Sequence, residues 1–183
     1  MQRSVKIVIA GGFGTGKTTM VGSVSEIPPL TTEEALTSAS VGVDDVAGVE
    51  GKEKTTVALD FGRITIASDL VLYLFGTPGQ DRFWFIWDEL SRGAAGAVVL
   101  VDTRRLDTSF AAVDYFERRG IPFVTAVNRF FGHCPYTEGE IRAALQLGAE
   151  VPLVWCDARE RESSKQALVF LVRHALSRIP AAA

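Results

Sequence analysis

The sequence predicts an α/β protein whose central sheet is mostly parallel, and two observations support this fold class. Apolar runs typical of strands occur at 4–10, 55–60, 63–67, 70–75, 96–101, 122–127 and 152–156. They alternate with segments of helical periodicity at 17–26, 82–92, 107–118, 137–147 and 162–178. Because parallel strands are joined by helices that cover the sheet, this alternation favours a parallel sheet with helices on both faces.

The first apolar run, SVKIVIA at 4–10, leads into the glycine-rich stretch GGFGTGKTT and then into a helical pattern. Gly11, Gly16, Lys17 and Thr18 satisfy the spacing G-x-x-x-x-G-K-S/T. Glycines let consecutive backbone N–H groups converge on phosphate oxygens, and the following helix directs its positive dipole end at them. Lys17 would reach the phosphates, and Thr18 would ligate Mg²⁺. We therefore expect a phosphate-binding loop formed by Gly11, Gly14, Thr15, Gly16, Lys17, Thr18 and Thr19.

The segment 28–54 is polar, with weak periodicity, and predicts a long loop. Loops of this length are usually functional or disordered, so a functional loop and a solvated insertion both stay open. The two apolar runs that follow, 55–60 and 63–67, flank the stretch Asp60-Phe61-Gly62-Arg63. This arrangement predicts a hairpin, which would add an antiparallel edge strand to the sheet.

Five consecutive apolar residues, 83–87, lie within the stretch QDRFWFIWDEL. Because a surface helix needs apolar residues on one face only, they indicate either a partner surface or tighter intramolecular packing. In the last helical segment an apolar stripe at helical spacing predicts core packing by Leu168, Leu171, Val172, Ala175, Leu176 and Ile179. Arg104 and Arg105 follow the run 96–101, and we expect both side chains to be solvated.

Composition excludes several classes of protein. The chain has 183 residues, 47% of them hydrophobic, and we expect one domain over residues 1–183. A net charge of −3 leaves no basic footprint for nucleic acid. The apolar run 93–101 is too short to cross a bilayer, and we expect no signal peptide. Cys134 and Cys156 are expected to be reduced thiols in a cytoplasmic protein.

Together with the phosphate loop, the stretches GTPGQDRFW at 76–84, VNRF at 127–130 and CDAR at 156–159 carry a family resemblance. The sequence resembles the Ras-like small GTPases, within them the bacterial gliding-motility (MglA-type) branch, and most of all the GTP-binding protein of actinomycete (Streptomyces) conservon operons. The resemblance implies a three-layer P-loop NTPase (small G-protein) fold that binds GTP or GDP with Mg²⁺. It also implies switch regions near 28–56 and 76–90.

The resemblance assigns roles to individual residues. Thr56 matches a switch threonine that reaches Mg²⁺ and the γ-phosphate, and Gly79 matches a glycine whose N–H senses that phosphate. Gln80 matches the glutamine that orients the attacking water, so the implied catalytic residues are Gln80 and Thr56. The implied metal ligands are Thr18 and Thr56. The residues matched to the base-binding region are Asn128, Arg129, Asp157, Ala158 and Arg159.

Three positions depart from the Ras-like pattern. Gly76 stands where that pattern has an acid in the second shell of Mg²⁺, and Asp60 and Asp81 are candidate substitutes. Phe13 replaces a glycine, where a side chain pointing inward would slow turnover and a buried one turned away would not. Phe131 replaces the aspartate that accepts hydrogen bonds from guanine, so the GTP preference comes from the family resemblance and not from these residues.

Two functional hypotheses remain. The first is a GTP switch that hydrolyses GTP slowly, and the second is a nucleotide-binding interaction module with little or no turnover. A P-loop kinase or ATPase fits less well, because Gly76 supplies no acid and no arginine-rich lid is evident. The resemblance implies a roadblock/LC7-type protein and a membrane sensor-kinase-like protein as partners. Any membrane association would then be peripheral, through those partners.

Overall fold

Within residues 3–36, 55–79, 84–132 and 134–179, which the structure, a computed structural model, describes, the chain forms seven strands and five helices. The strands are β1 (Arg3–Ala10), β2 (Leu30–Leu36), β3 (Thr55–Ala67), β4 (Leu70–Gly76), β5 (Gly96–Val101), β6 (Phe123–Asn128) and β7 (Leu153–Cys156). The helices are α1 (Lys17–Val24), α2 (Trp84–Ser91), α3 (Asp107–Arg119), α4 (Glu138–Leu145) and α5 (Arg161–Ser177). Short 3-10 turns lie at Thr103–Arg105 and Phe130–Gly132.

The strands form one sheet in the order β2-β3-β4-β1-β5-β6-β7. β3 runs antiparallel to both of its neighbours, whereas the β4–β1, β1–β5, β5–β6 and β6–β7 pairs are parallel. The predicted α/β class with a mostly parallel sheet is therefore confirmed. The antiparallel strand does not form the edge, because β2 lies outside it.

A strand occupies part of the segment for which the sequence predicts only a polar loop. Leu30–Leu36 pairs with β3 in antiparallel register, from Leu30 opposite Phe61 to Leu36 opposite Thr55. The loop prediction is therefore wrong over this strand. An edge strand needs pairing on one side only, and backbone hydrogen bonds supply it even where apolar periodicity is weak. Residues 37–54 lie outside the described part of the chain.

The predicted hairpin at Asp60-Phe61-Gly62-Arg63 is also wrong, since β3 continues without interruption through all four residues. The turn to β4 comes later, at residues 68 and 69. Gly62 serves close packing: a Cβ atom there would lie 2.7 Å from Cγ1 of Val21 and 3.2 Å from Cβ of Ser25. Glycine at this position therefore lets α1 approach the sheet closely. Glycine inside a strand often marks such a site of close approach.

Apolar layers cover both faces of the sheet, as β1 illustrates. Ile7 and Ile9 pack with buried residues of α1 and α5, whereas Val8 and Ala10 pack with those of α2, α3 and α4. This alternation follows from the two-residue period of a strand, and it confirms the prediction of helices on both faces. The predicted apolar stripe of the last helix holds only in part. Leu168 and Leu171 are fully buried, but Leu176 and Ile179 are 60% and 64% exposed, because they lie at and beyond the end of α5.

Replacing Gly62 by alanine should destabilise the fold by about 1–3 kcal/mol, because the added methyl group enters a fully packed contact with Val21. Gly139 of α4 is the matched control, since a Cβ atom there meets nothing within 4 Å. We expect Gly139→Ala to change stability by less than about 1 kcal/mol. Urea unfolding followed by circular dichroism measures both variants. Equal effects at the two positions would contradict close packing at Gly62.

Two further observations concern the described helices and the two cysteines. Among the helices that the structure describes, none combines the length and the apolar character that a membrane crossing requires. Cys134 and Cys156 are both free thiols, and Cys156 is buried. Burial raises the pKa of the Cys156 thiol, so this side chain is a packing group and not a reactive thiolate.

Candidate functional site

The candidate site lies where five parallel strands end together. β1, β4, β5, β6 and β7 point in the same direction, so the residues at their carboxyl ends share one edge of the sheet. Gly11, Gly76, Asp102, Asn128 and Asp157 stand at or directly after these strand ends. Open α/β sheets bind ligands at this edge.

The loop between β1 and α1 adopts a backbone that demands glycine. Gly11, Gly14 and Gly16 have φ angles of 137°, 74° and 104°, which L side chains rarely adopt. At Gly11 a Cβ atom would also lie 2.5 Å from the carbonyl oxygen of Leu100, and at Gly16 one would lie 2.6 Å from Nδ2 of Asn128. The glycines of the sequence motif are therefore required by the path of the backbone.

Lys17 lies inside this loop. Its ammonium group donates hydrogen bonds to the carbonyl oxygens of Gly11 at 2.9 Å and Gly12 at 2.6 Å, and the residue is 8% exposed. Burial lowers the pKa of Lys17 to about 8, although the nearby charge of Asp60 opposes the shift. A buried cation with flexible donors is well suited to meet a phosphate group.

The loop directs its carbonyl groups at protein donors and leaves N–H groups for a ligand. The Gly12 carbonyl also accepts from the Thr15 hydroxyl at 3.0 Å, and the Thr15 carbonyl accepts from Asn128 at 3.0 Å. Within the described part of the chain, the N–H groups of Phe13, Gly14 and Gly16 donate to no protein acceptor. Converging N–H groups at the start of a helix fit a phosphate, since they carry partial positive charge. Thr19 lies exposed in the first turn of that helix.

A carboxylate reaches the predicted metal ligand from the neighbouring strand. The Thr18 hydroxyl donates to Oδ2 of Asp60 at 2.6 Å, and Asp60 is 8% exposed. Asp60 stands directly opposite Gly76 in the β3–β4 pair, and a Cβ atom on Gly76 would lie 3.1 Å from Oδ2 of Asp60. Of the two candidate substitutes for the missing acid, Asp60 therefore occupies the expected place, and Asp81 lies outside the described residues.

These groups fit Mg²⁺ in the way that P-loop proteins hold it. Mg²⁺ is usually bound by one or two protein oxygens together with water and phosphate oxygens, not by an all-protein cage. The described part of the chain contains no group of three or more His, Cys, Asp or Glu side chains placed to hold a metal ion. The Thr18 hydroxyl and the Asp60 carboxylate are the oxygens available for this ion.

At the other end of the site, Asn128 joins two loops. Its Nδ2 donates to the Thr15 carbonyl, and its Oδ1 accepts from the N–H of Ala158 at 3.1 Å. Asn128 is 6% exposed, so removing its amide would leave buried groups of both loops without partners. It therefore fixes the distance between the phosphate loop and the segment 157–159.

The other residues predicted to contact the base have protein partners in this structure. The Arg129 guanidinium lies over the ring of Trp155, 4.6 Å from its centroid. Arg159 donates to both carboxylate oxygens of Asp157, at 2.9 and 2.7 Å. This hydrogen bonding from Arg159 lowers the pKa of Asp157 and keeps its carboxylate charged. The side chain of Phe131 lies outside the described residues.

The structure describes only some of the residues predicted to contact the γ-phosphate or the attacking water. Gly79 lies against the phosphate loop, because a Cβ atom there would be 2.7 Å from Cα of Phe13 and 2.8 Å from Nζ of Lys17. Thr56 stands opposite Ala35 in the β2–β3 pair, but its side chain lies outside the described part. Gln80 also lies outside the described residues.

Phe13 is 66% exposed, which excludes the buried position that the sequence left open. The Phe13 backbone lies close to Gly79, and the Phe13 side chain is largely exposed to solvent. Arg104 and Arg105 are exposed, as expected, with side chains 56% and 46% accessible, but each also has a specific protein partner. Arg104 donates to both oxygens of the buried Asp102, each at 2.8 Å, and Arg105 donates to the Phe13 carbonyl at 2.8 Å. The sequence gives no local signal for the Arg105–Phe13 contact, which joins residues 92 positions apart.

The aromatic stretch beside the site is divided between core and surface. Trp87 is 5% exposed, and its indole N–H donates to the carbonyl of Pro78 at 3.2 Å. Phe85 is 58% exposed and borders a groove of about 570 Å³ between α2 and α3. Intramolecular packing of the run 83–87 is therefore confirmed for Trp87, whereas Phe85 is exposed and the partner surface stays a prediction.

Two solved structures with a similar fold come from an iron transporter. The chain matches the cytosolic domain of the T. maritima FeoB iron transporter in apo form with a TM-score of 0.66 and 16% identity, covering 94% of this chain. The chain spans 64% of the length of that cytosolic domain. It matches the isolated G domain of the same transporter with a TM-score of 0.61 and 16% identity, covering 96% of this chain and 98% of that one. These structural similarities show that the chain has a G-domain-like P-loop fold.

Sequence comparison identifies nearer relatives. An uncharacterised protein of Methanocaldococcus jannaschii is 30% identical over 127 residues, which are 68% of this chain and 70% of that protein. The sequence profile described as "conserved hypothetical ATP binding protein" matches residues 9–178, from the end of β1 to the end of α5. Because this profile matches most of the chain, the chain belongs to this family of nucleotide-binding P-loop proteins.

Proposed function

We propose that the protein is a guanine-nucleotide switch that binds GTP and GDP with Mg²⁺ and hydrolyses GTP slowly, as one domain. The observation that carries the proposal is the assembly of three devices at one sheet edge. The loop around Lys17 has N–H groups available for phosphates, Thr18 and Asp60 offer oxygens to the metal, and Asn128 joins the loop to the base-side segment. Each device supplies one part of nucleotide binding.

On nucleotide binding, the Lys17 ammonium would exchange the carbonyl groups of Gly11 and Gly12 for phosphate oxygens. The Gly14 and Gly16 N–H groups would donate to the same oxygens. Thr18 and Asp60 would hold Mg²⁺, which when bound neutralises charge on the phosphates. Gly79 lies beside Lys17, so a γ-phosphate would meet its N–H and draw the following segment toward the site.

Hydrolysis is assigned to the segment after Gly79. Gln80 would orient the attacking water, and Thr56 would contact the metal and the γ-phosphate, as the family resemblance implies. We propose that turnover is slow because the exposed Phe13 stands beside Gly79, where an incoming arginine from a partner would have to pass. Loss of the γ-phosphate contacts would release the segments near 28–56 and 76–90, which is how such switches signal.

Two observations support a second candidate, a nucleotide-binding module with little turnover. Phe13 is 66% exposed in the phosphate loop, and Phe85 is 58% exposed on α2, so each offers an apolar side chain to a partner. In this candidate the nucleotide stabilises a docking surface for a roadblock/LC7-type protein and a sensor-kinase-like protein, as the resemblance to the conservon branch implies. Measurable GTP hydrolysis that is lost in Gln80→Ala would exclude this candidate.

The base preference is tested by calorimetric titration of nucleotide-free protein with GTP, GDP and ATP in the presence of Mg²⁺. We expect micromolar or tighter binding of GTP and GDP, and at least about tenfold weaker binding of ATP. The family description names ATP, so equal or tighter binding of ATP would replace the GTP switch by an ATP-dependent one. Absence of binding to all three nucleotides would overturn the proposed function.

A further inference from the structure

Arg105 contacts the phosphate loop from a distant part of the chain. It lies at the end of the 3-10 turn after β5, and its Nη2 donates to the Phe13 carbonyl oxygen at 2.8 Å. The same nitrogen would lie 2.9 Å from a Cβ atom on Gly14, so the guanidinium touches both residues of this peptide unit. Neither the resemblance nor the proposed function gives Arg105 a role.

A carboxylate holds Arg105 in place. Asp102 is fully buried, its Oδ2 lies 3.7 Å from Nη2 of Arg105, and Arg104 occupies both of its oxygens. Burial by itself raises the pKa of Asp102, but the hydrogen bonds and charges of the two arginines outweigh it and keep the pKa below its ordinary value. The carboxylate therefore stays charged and anchors the turn that carries Arg105.

The contact has a consequence for the N–H of Gly14. In a trans peptide the carbonyl and the N–H point in opposite directions, so holding the Phe13 carbonyl fixes the direction of the Gly14 N–H. A hydrogen bond from a cation also polarises the peptide unit and makes its N–H a stronger donor. The Gly14 N–H donates to no protein acceptor in the described part of the chain, so it is free to meet an anion.

Three other loop carbonyls have protein donors of their own. Lys17 holds those of Gly11 and Gly12, and Asn128 holds that of Thr15. Lys17 must leave its two carbonyls to reach a phosphate, whereas Arg105 approaches the loop from another element and can keep its contact. Arg105 thus supports the loop in both the free and the bound protein.

We propose that Arg105 is a positioning residue for the nucleotide phosphates: it holds the Phe13–Gly14 peptide so that the Gly14 N–H is directed at the phosphate, and it adds positive charge to the loop. This inference rests on the proposed nucleotide binding. It concerns the phosphates alone, so it applies whether the base is guanine or adenine.

The test compares Arg105→Gln, Arg105→Lys and Arg118→Gln with the unmodified protein. Calorimetry measures binding of inorganic pyrophosphate, GDP and ADP with Mg²⁺. Arg105→Gln should weaken pyrophosphate and the preferred nucleotide by the same factor, about tenfold, because the lost interaction involves no part of the base. Arg105→Lys keeps the charge and should restore affinity to within about threefold of the original. The salt dependence of binding should be shallower in Arg105→Gln, because one charge has left the loop.

Arg118→Gln is the control for net charge. Arg118 lies on α3, its side chain is 82% exposed, and it pairs with Asp114 at 3.8 Å. This variant should bind pyrophosphate with unchanged affinity and salt dependence. Unchanged pyrophosphate binding in Arg105→Gln, or an equal loss in Arg105→Lys, would overturn the role of Arg105. If the unmodified protein binds neither nucleotide nor pyrophosphate, the proposed function itself fails, and the two failures are thus distinguishable.

Discussion

Replacing Lys17 by alanine is expected to lower the affinity for GDP and GTP by about 100-fold or more. The ammonium group lies in the middle of the phosphate loop and is 8% exposed, so no other described cation replaces it there. A neutral methyl group offers no charge and no hydrogen bond to a phosphate. Calorimetric titration with GDP in the presence of Mg²⁺ measures the loss.

The matched control is Lys165→Ala, which removes the same side chain from α5, away from the loop. It should bind GDP as the unmodified protein does. Unfolding curves without nucleotide separate loss of binding from loss of stability, because Lys17→Ala also removes the hydrogen bonds to the Gly11 and Gly12 carbonyls, at a cost of about 1–3 kcal/mol. A variant that is folded and still binds GDP within about threefold of the original affinity would contradict the assignment of Lys17 to the phosphates.

The pH dependence of binding tests the assignment of Lys17 to the phosphates in a second way. Burial lowers the pKa of Lys17 to about 8, so the ammonium form predominates below that pH and is lost above it. A bound phosphate favours the charged form, so binding above pH 8 should take up a proton and weaken as the pH rises. Titrations in buffers of different ionisation enthalpy measure this uptake, which should disappear in Lys17→Ala.

The phosphate loop could be predicted from the sequence because its determinants are local. Gly11, Gly14 and Gly16 have positive φ angles, and Lys17 follows at once, so a motif of eight residues contains both the backbone path and the cation. The role of Asn128 comes from the family resemblance, which the stretch VNRF at the end of β6 carries. In both cases the residues that act together are fixed by strand ends, which periodicity locates well.

The contacts of Arg105 and the position of β2 could not be predicted in this way. Arg105 and Phe13 are 92 positions apart, and neither has a neighbour that indicates the other. The strand Leu30–Leu36 is determined by its pairing with β3, not by its own periodicity. The role of Gly62 could not be predicted from sequence either. A glycine in a sequence is equally consistent with a turn and with a close helix contact, and only the contact with Val21 in the fold distinguishes the two.

Replacing Asp60 by glycine is expected to remove most of the effect of Mg²⁺ on nucleotide affinity. Asp60 is the buried carboxylate that accepts the Thr18 hydroxyl at 2.6 Å, and Gly76 opposite it offers no oxygen in its place. The measured quantity is the ratio of the GDP dissociation constants in EDTA and in Mg²⁺. We expect this ratio to fall by about tenfold or more, since hydrogen bonds to charged groups contribute about 1.5–3 kcal/mol. An unchanged ratio would contradict the metal role of Asp60.

The decisive variant moves the carboxylate across the strand pair. Asp60 and Gly76 face each other, and a Cβ atom on Gly76 would lie 3.0 Å from Cβ of Asp60, so the pair has room for one aspartate. Gly76→Asp alone should therefore destabilise the fold by about 1–3 kcal/mol, through crowding and the repulsion of two carboxylates. Asp60→Gly combined with Gly76→Asp relieves that crowding and returns one carboxylate to the same space.

The double variant should thus recover stability relative to Gly76→Asp and recover the Mg²⁺ effect relative to Asp60→Gly. Recovery of both properties would mean that the Mg²⁺ effect depends on where the carboxylate lies, whichever of the two strands carries it. A double variant that is folded but no more responsive to Mg²⁺ than Asp60→Gly would show that the geometry of β3 itself matters. In that case the carboxylate must be carried by β3, where it also accepts the Thr18 hydroxyl, to support Mg²⁺ binding.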